Sequence, residues 1–338
     1  MKSILVTGSS GTIGTRLCET LLRDGYGVIG VDRVPNRWSP EIDALTVIGD
    51  LCHPKTLENL PGTFDLVIHL AANARVYNLV LDPHLAFENM DSTFRVAEFC
   101  RKHRVPRLIF ASSREVYGNT QEARRREDDA RLNSCESPYT ASKVSGEAIV
   151  KAYERCYGVR CVVVRFSNVY GMYDISDRVV PLYIRLAWQG RDLVVFGPDK
   201  TLDFTYIDDA VAGVCGCIQR FDEVAGKTLN IASGVGTRIA DIAQRVKESL
   251  DSTSRIVFQD NRTGEIHHFA ADLSTARTLL AYEPRTGIEE GLSKSIAWYS
   301  RCNDPQWLED TVHPAISVVN EPKRRSHGSV TTCSDTSE

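Results

Sequence analysis

Short apolar runs and helical patterns alternate along the first half of the chain. Residues 3–7 form a brief apolar run that ends at a glycine-rich turn, and an amphipathic segment with apolar positions at Ile13, Leu17 and Leu21 follows. A run of this kind is typical of a strand buried on both faces of a parallel sheet, whereas apolar spacing of three and four is typical of a helix. The pattern therefore predicts a strand, a turn and a helix that ends near Gly25.

The same alternation continues to about residue 169. The segments between the apolar runs are long enough for the helices that connect parallel strands. Six such strands predict an α/β fold with a doubly wound parallel sheet. The five later runs are at residues 28–31, 45–48, 66–70, 107–111 and 161–166.

The remaining sequence predicts a division into a sheet domain and a smaller C-terminal lobe. The sheet domain takes residues 1–169, with a return segment near residues 205–232. Residues 170–204 and 233–310 have shorter and less regular patterns and are assigned to the lobe. From residue 311 the chain has few residues able to build a core, so residues 311–338 are predicted to be a disordered tail.

Composition and charge narrow the classes of protein. Hydrophobic residues make up 42% and charged residues 25% of the 338 positions, as is ordinary for a globular protein. The net charge of −4 gives no basic surface for nucleic acid, and the basic run at 124–126, flanked by acidic residues, is interpreted as a solvated loop. No apolar stretch reaches the ~18 residues of a membrane span or forms a signal-peptide core. We expect a cytoplasmic protein with no membrane partner.

Cysteine and histidine patterns do not indicate a metal site. The ten cysteines are scattered, and the close pair Cys215 and Cys217 has no second pair to complete a zinc site. The eight histidines lack ligand spacing, and the neighbours His267 and His268 would point in different directions on a strand. We therefore expect no metal and interpret the cysteines as buried thiols.

The turn after the first predicted strand carries the motif GSSGTIG. Gly8, Gly11 and Gly14 allow a tight turn and a close approach of the backbone to a ligand. The helix that starts at Thr12 and Ile13 would direct its N–H groups and its positive end at a pyrophosphate. In the order strand, glycine turn, helix, the motif predicts a dinucleotide site.

Asp32 and Arg33 follow the second predicted strand, about eighteen residues after the glycine motif. A carboxylate at this place can accept hydrogen bonds from the adenosine ribose hydroxyls. It would also repel a 2′-phosphate, although Arg33 could partly offset that repulsion. The sequence therefore favours NAD over NADP.

Further motifs extend the similarity to a known family. GDL at 49–51, HLAA at 69–72 and YTASK at 139–143, together with the glycine spacing, resemble the extended short-chain dehydrogenase/reductases, the NAD-dependent epimerase/dehydratase family. The resemblance covers roughly residues 3–300 and implies a Rossmann sheet that binds NAD. The cofactor contacts that it implies are Asp50 and Leu51 beside the adenine, Leu70, Ala71 and Ala72 along the cleft, and Asn89.

Tyr139 and Lys143 are four residues apart on a predicted helix and therefore share one face. A nearby ammonium group would favour the phenolate and lower the tyrosine pKa from about 10 toward neutrality. Such a tyrosine can take the proton of a sugar hydroxyl at C4 while hydride leaves the same carbon for nicotinamide, and the lysine would hold the nicotinamide ribose. The resemblance adds Ser113 as the hydrogen-bond partner of the oxygen at C4.

Glu115 is a departure from simple 4-epimerases of the family, which usually have a small or hydroxyl residue there. Dehydratases and decarboxylases of nucleotide sugars often place a glutamate at this position, where it could remove a C5 proton made acidic by a ketone at C4. The 4,6-dehydratases usually have an aspartate just before it, and this chain has Arg114, which would lower the pKa of Glu115. A structural ion pair between the two residues is the other interpretation.

Two segments of the second half resemble those that hold the substrate diphosphate in the family. They contain Asn168, within SNVYG, and Arg262, which would form a bidentate contact. A second arginine of the family pattern is Leu202 here. Another cation, such as Arg178 or Lys200, would have to compensate.

Together these residues predict an NAD-dependent nucleotide-sugar epimerase, specifically a UDP-hexose 4-epimerase that acts through a 4-keto intermediate, with an NAD-binding domain and a substrate-binding lobe. The alternative is a dehydratase or decarboxylase that uses Glu115 at C5. A non-catalytic NAD-binding protein of this fold typically lacks the pair formed by Tyr139 and Lys143, which is intact here.

A homodimer is also expected. Helices near residues 84–104 and 138–157 resemble those that pair into a four-helix interface in the family. The residues assigned to that interface are Leu85, Val96 and Phe99 on one helix and Val144, Ile149 and Tyr153 on the other.

Overall fold

The computed structural model describes residues 2–60, 63–119 and 124–302. The strands are β1 Ser3–Thr7, β2 Gly27–Asp32, β3 Thr46–Ile48, β4 Leu66–His69, β5 Arg107–Ser113, β6 Arg124–Arg125, β7 Arg160–Phe166, β8 Asn168–Tyr170, β9 Leu193–Phe196, β10 Thr201–Tyr206, β11 Thr228–Ile231, β12 Gly236–Arg238, β13 Ile256–Gln259 and β14 Ala270–Ala271. The α-helices are α1 Thr12–Arg23, α2 Pro40–Ala44, α3 Pro54–Glu58, α4 Val76–Leu81, α5 His84–Lys102, α6 Pro138–Tyr157, α7 Val179–Trp188, α8 Ile207–Gln219, α9 Phe221–Val224, α10 Ile239–Ser249, α11 Ser274–Leu280 and α12 Ile288–Tyr299. Short 3₁₀ helices lie at Arg114–Tyr117, Glu127–Asp129 and Leu132–Ser134.

The central feature is a sheet of seven parallel strands in the order β3-β2-β1-β4-β5-β7-β11. The chain starts at β1 inside the sheet, reaches one edge through β2 and β3, and then crosses to β4 on the other side of β1. The predicted doubly wound Rossmann sheet is confirmed. It has seven strands rather than six, because β11 in the predicted return segment adds an edge strand beside β7. With four residues, one of them the polar Asn230, β11 lacked the apolar run by which the other strands were found.

The direction of winding reverses between β1 and β4, and folds of this kind bind their ligands in a crevice at the C-terminal ends of the strands beside such a reversal. Gly8 follows β1 with a φ of +76°, a backbone conformation that favours glycine. A Cβ on Gly8 would lie 2.8 Å from the backbone nitrogen of Ala71, which follows β4. The two loops that border the crevice are therefore in close contact.

Helices α5 and α6 pack together against the sheet. Val96, Phe99 and Tyr153 belong to the hydrophobic core, with exposed fractions of 0%, 5% and 9%. Val96 and Phe99 are therefore not accessible to a partner subunit, whereas Tyr153 contacts the exposed rings of Phe94 and Tyr157, and the dimer interface stays a prediction. The large apolar side chains that these helices leave exposed are Phe87, Phe94 and Tyr157.

Three smaller sheets are formed mostly by residues after 167, in the orders β12-β10-β8, β13-β9 and β14-β6. In the last of these, Arg124 and Arg125 pair with the chain at Ala270–Ala271, and Arg125 is buried. The interpretation of this basic run as a solvated loop was wrong for Arg125, whose carbonyl accepts hydrogen bonds from Asp272 N and Asn230 Nδ2, whereas Arg124 and Arg126 are exposed. The division into an NAD-binding domain and a lobe stays a prediction, and residues 311–338 lie outside the described residues.

No helix in the described ranges combines the length and apolarity required to cross a membrane.

Candidate active site

The glycine turn joins β1 to α1 at the mouth of the crevice. Gly14 has no room for a side chain, because a Cβ there would lie 1.9 Å from the carbonyl oxygen of Gly8. Gly11 differs, since its Cβ would meet only Gly8 O within 4 Å, at 3.3 Å. Gly11 is also the N-cap of α1, and no side chain of a described residue caps the helix that begins with Thr12 and Ile13. An open turn at an uncapped helix N-terminus fits the pyrophosphate of a dinucleotide.

The acidic residues beside this turn are held by backbone and side-chain contacts. Asp32 accepts a hydrogen bond from Ser10 N at 3.0 Å, and burial raises the pKa of its carboxyl group. The Arg33 guanidinium donates to Asp50 at 3.1 Å and to Glu88 at 2.9 Å. Because two carboxylates already bind Arg33, its charge is not free to hold a 2′-phosphate. This arrangement fits NAD better than NADP.

The loop after β4 contains Leu70, Ala71 and Ala72, all of them half-buried. Asn89 on α5 holds the end of this loop: its Oδ1 accepts from Asn73 N at 2.8 Å and its Nδ2 donates to Asn73 O at 3.0 Å.

The same Nδ2 of Asn89 also donates to Ser142 Oγ on α6, at 3.2 Å. The geometry makes Asn89 a positioning residue for the loop. Leu51, at the other side, is buried in the core with an exposed fraction of 6%. Direct contacts of Asn89 and Leu51 with the cofactor stay predictions.

Ser113, Tyr139 and Lys143 come together as the sequence predicted. Ser113 is the last residue of β5, and α6 places Tyr139 beside it, where the two side chains share a hydrogen bond. Lys143 lies one turn further along α6, with its Nζ 5.8 Å from the centroid of the Tyr139 ring. That Nζ donates to the carbonyl oxygen of Ala111 on β5, at 2.8 Å. All three reactive side chains are buried.

The expected lowering of the Tyr139 pKa does not occur in the protein alone. Burial raises the pKa of Tyr139 to about 12, although its hydrogen bond with Ser113 and the charges of Arg178 and Arg114 act in the opposite direction. Burial also lowers the pKa of Lys143 to about 8. The prediction was wrong because the desolvation of the phenolate outweighs the nearby positive charges, and the ammonium group is directed at a backbone carbonyl.

Arg114 and Glu115 form a buried ion pair directly after β5, with Arg114 Nη2 2.8 Å from Glu115 Oε1. Arg114 Nη2 also donates to Asn168 Oδ1 at 3.2 Å, and the Glu115 backbone N donates to Ser113 Oγ at 3.2 Å. The expectation that Arg114 leaves Glu115 with a lowered pKa was wrong. Burial raises the pKa of Glu115, and the charge of Arg114 only reduces that rise.

Asn168, at the start of β8, is bound on both sides of its amide. Its Nδ2 donates to the carbonyl oxygen of Asp203 on β10 at 3.0 Å, while its Oδ1 accepts the hydrogen bond from Arg114. Lys200, one of the two predicted compensating cations, is buried and donates to Glu265 at 2.6 Å. Its charge is therefore already neutralised by an acidic neighbour.

Arg178, the other predicted cation, belongs to a cluster with Arg75 and Arg262. Burial lowers the pKa of Arg75, and the charges of Arg178 and Arg262 lower it further. Two acidic residues, Asp174 and Asp177, form ion pairs with Arg178 and Arg75 respectively. Three arginines with two carboxylates leave an excess of positive charge.

Arg262 itself rests on aromatic rings. Its guanidinium carbon lies 3.8 Å from the ring centroid of Phe196 and 5.1 Å from that of Tyr77. Such stacking fixes the plane of the guanidinium group and leaves its N–H groups to bind a ligand. A fixed, positively charged cluster of this kind can hold a diphosphate.

Comparison with known proteins identifies the family. The sequence model of the NAD dependent epimerase/dehydratase family matches residues 4–232. The chain belongs to this family. It is 31% identical to an uncharacterized UDP-glucose epimerase of Bacillus subtilis, over 88% of this chain and 98% of that protein. It is 28% identical to UDP-glucuronate 4-epimerase 1 of Arabidopsis thaliana, over 88% of this chain and 76% of that one.

Solved structures agree with this assignment. The UDP-glucose 4-epimerase of Thermotoga maritima with UDP-glucose is 27% identical, with a TM-score of 0.80, over 88% of this chain and 98% of that chain. The UDP-glucuronic acid 4-epimerase of Bacillus cereus with UDP-glucuronic acid and NAD is 28% identical, with a TM-score of 0.80, over 88% of this chain and 99% of that chain. The predictions of an enzyme of this family and of NAD as its cofactor are confirmed.

Two features of this epimerase/dehydratase were missed by sequence reasoning. Arg75 was one, because a single arginine in a loop carries no spacing signal. The other is Glu147, which accepts hydrogen bonds from Ser112 Oγ at 2.5 Å and from Arg165 Nε at 2.8 Å and so fixes the end of β5 against α6. The sequence did contain a signal for Glu147. It is a charged residue four positions after Lys143, on a helix face whose other residues are buried.

Histidine, cysteine and acidic side chains form no group of three that could hold a metal ion within the described residues of this epimerase/dehydratase.

Proposed function

We propose that the protein is an NAD-dependent UDP-hexose 4-epimerase. The observation that carries the proposal is the meeting of Ser113, Tyr139 and Lys143 at the end of β5, beside the crevice bordered by the glycine turn. Relatives named as UDP-glucose epimerases and 4-epimerases support the choice of substrate class. The roles proposed for the individual site residues are supported by the geometry of the site.

The proposed roles follow from the positions of the side chains. The hydroxyl groups of Ser113 and Tyr139 bind the oxygen at C4, and Tyr139 takes its proton and later returns it. NAD, which the glycine turn and Lys143 would hold, would supply the acceptor and donor of the C4 hydride and a positive charge that favours the phenolate. Lys143 holds the nicotinamide ribose and adds positive charge near the phenol. No net oxidation results.

Replacement of Tyr139 by Phe tests the assignment. We expect turnover of UDP-glucose to fall by a factor of about 100 or more, because the group that moves the proton is removed, while NAD binding is retained. Tyr157→Phe, an exposed tyrosine on the same helix, is the matched control and should keep normal turnover. Near-normal activity of Tyr139→Phe would contradict the proposed mechanism.

A dehydratase or decarboxylase is the second candidate, and the burial of Glu115 favours it. A carboxyl group with a raised pKa beside the reacting tyrosine could remove the proton at C5. Against this candidate, Oε1 of Glu115 is bound to Arg114, which stands where 4,6-dehydratases usually have their acid.

Turnover in deuterated water distinguishes these two reactions. An epimerase moves hydride at C4 without exchange at C5, so the product should carry no deuterium on carbon. Deuterium at C5 that is lost in Glu115→Gln would establish the lyase instead. The NMR spectrum of the product gives both results in one experiment.

We further propose that Arg75, Arg178 and Arg262 bind the diphosphate of the substrate. Arg75 would supply the charge that Leu202 does not. Arg75→Gln should raise KM for UDP-glucose about tenfold or more with a smaller change in kcat, because the diphosphate takes no part in the chemical step. Arg245→Gln on α10, whose guanidinium is paired with Glu289, is the control that should leave KM unchanged.

A homodimer through α5 and α6 is also part of the proposal. Phe87, Phe94 and Tyr157 form large exposed apolar side chains on these two helices, with exposed fractions of 58%, 48% and 57%. Apolar surface of this kind is typical of subunit interfaces. Sedimentation at micromolar concentration should show a dimer, and Phe94→Glu should convert it to a monomer. A parent chain that is monomeric at this concentration would contradict the proposal.

The cytoplasm is the proposed compartment, because Cys18, Cys100 and Cys161 are buried as thiols, as is usual in a reducing environment. Cell fractionation with an antibody to the chain tests this.

A further inference from the structure

The ion pair between Arg114 and Glu115 has polar atoms without partners. Arg114 Nη1 and Glu115 Oε2 are both inaccessible to solvent and have no hydrogen-bond partner among the described residues. The residues themselves have exposed fractions of only 8% and 3%. A buried donor and a buried acceptor that bind nothing are unfavourable, and native proteins leave few of them.

The pair borders the reacting groups. The backbone N of Glu115 donates to Ser113 Oγ at 3.2 Å, and Arg114 Nη2 is bound to Asn168 at 3.2 Å. The charges of both Arg114 and Glu115 act on the pKa of Tyr139. The unpartnered atoms therefore belong to residues in the wall next to Ser113 and Tyr139.

Neighbouring charges do not supply the missing partners. Lys200 and Glu265 act on Glu115 electrostatically, but they are bound to each other at 2.6 Å. Glu136, the third such neighbour, is exposed and accepts a hydrogen bond from the backbone of Asn119. Within the described residues neither Arg114 Nη1 nor Glu115 Oε2 therefore has a hydrogen-bond partner, and a bound ligand that reaches both atoms would supply one to each.

The chemistry of the two atoms limits what that group can be. A guanidinium nitrogen only donates and an ionised carboxylate oxygen only accepts. A hydroxyl group satisfies both at once, since its oxygen accepts and its hydrogen donates. A carboxylate or a phosphate oxygen offers acceptors alone and would face the negative charge of Glu115.

We propose that Arg114 and Glu115 together bind a sugar hydroxyl next to C4, with Arg114 Nη1 donating to its oxygen and Glu115 Oε2 accepting its hydrogen. The inference rests on the proposed function in placing C4 at Tyr139. The hydroxyl groups that flank C4 are those at C3 and, through C5, at C6. The pair is thus a specificity determinant for a neutral sugar hydroxyl.

The test is equilibrium binding of UDP-sugars to the NAD-loaded full chain, with Tyr139→Phe as the background so that the sugar is not turned over. The ligands are UDP-glucose, its 3-deoxy and 6-deoxy analogues, UDP-glucuronate and UDP alone. The pair is removed by Arg114→Met with Glu115→Met, since replacing both charges leaves neither of them buried alone. Glu115→Gln is a milder second variant, and Glu136→Gln is the control for charge nearby.

In the background protein, we expect one of the deoxy sugars to bind about tenfold more weakly than UDP-glucose. In the double variant this ratio should fall below about twofold, and in Glu115→Gln it should be reduced, whereas Glu136→Gln keeps it. If the 6-deoxy sugar is the weaker ligand, UDP-glucuronate should also bind at least tenfold more weakly than UDP-glucose. Binding of UDP alone should be the same in the background protein, in Glu115→Gln and in Glu136→Gln.

The inference is overturned if neither deoxy sugar binds more weakly in the background protein, or if the double variant keeps the full ratio. Turnover of UDP-glucose is measured separately in the chain with Tyr139 intact. A lack of turnover there would contradict the proposed function, while the binding ratios would still decide the role of the pair.

Discussion

Two buried ion pairs lie at the end of β5, and they differ in how far their hydrogen-bonding capacity is used. In the first, Glu147 accepts two hydrogen bonds from Arg165, at 2.7 and 2.8 Å, and a third from Ser112 at 2.5 Å. In the second, Glu115 Oε1 forms an ion pair with Arg114 Nη2 at 2.8 Å, and its Oε2 has no hydrogen-bond partner within the described ranges.

The arginines show the same difference. Arg165 also donates from Nη1 to Tyr117 Oη at 3.1 Å and to the carbonyl oxygen of Glu127 at 2.6 Å, whereas Arg114 leaves its Nη1 without a partner in the part of the chain that the structure describes. A pair in which every polar side-chain atom has a partner holds parts of the fold together. A pair that leaves both a donor and an acceptor unused is suited to binding a ligand.

The first way to break this comparison is Glu147→Gln. Removal of one partner leaves the buried guanidinium of Arg165 uncompensated, and we expect a loss of about 3–5 kcal/mol in the free energy of unfolding. Glu154→Gln, the same change on the same helix, keeps an amide oxygen that can accept from the backbone N of Cys161 and should cost about 1 kcal/mol or less. Urea titration measures both. Equal losses in the free energy of unfolding for the two variants would show that the hydrogen bonds of Glu147 contribute no more to stability than that of Glu154.

The two ion pairs also show which features of the structure can be predicted from the sequence. The apolar runs predicted six of the seven strands of the main sheet, because strands buried on both faces have a strong local signal. The contacts of Glu147 depend on β5, α6 and β7 meeting in space, and no local pattern encodes that meeting. The edge strand β11 was missed for the related reason that its pattern is short and interrupted by a polar residue.

In the candidate site, the sequence predicted which residues lie close together, but it did not predict their pKa values. The spacing of Tyr139 and Lys143 and the position of Ser113 at a strand end were enough to bring the three together. The pKa of Tyr139 depends instead on burial, which raises it to about 12 and which only the packed structure supplies. For Glu115, likewise, the adjacent arginine is visible in sequence, but the burial that outweighs its charge is not.

A second prediction tests the comparison of the two ion pairs through Arg114 and Glu115. Glu115→Gln removes a carboxylate that forms a single ion-pair contact with Arg114, at 2.8 Å, and so leaves that buried guanidinium without its counter-charge. We expect a loss of about 3 kcal/mol in the free energy of unfolding, smaller than for Glu147→Gln because Glu115 gives up one contact and Glu147 gives up three hydrogen bonds. The same urea titration decides the order. A loss as large as that of Glu147→Gln would mean that the Arg114 pair holds the fold together in the same way.

The smallest expected effect concerns Lys143, whose buried ammonium group feels the charge of Glu147. Its pKa is about 8 in the folded protein and about 10.4 in an unfolded chain, so the unfolded state binds more protons between these values. The contribution of Lys143 to stability should therefore increase as the pH rises from about 8 to about 10.

Buried thiols act in the opposite direction over the same range, because burial raises the pKa of Cys18 and Cys100 to about 12 and keeps them protonated in the folded state. The measurement must therefore be a difference. In protein freed of NAD, the Tm of the parent chain minus that of Lys143→Met should rise between pH 7.5 and pH 9.5, since the thiol contributions cancel. A difference that is flat or falls with pH would show that Lys143 keeps its proton in the folded protein, held by Glu147 more strongly than burial opposes it.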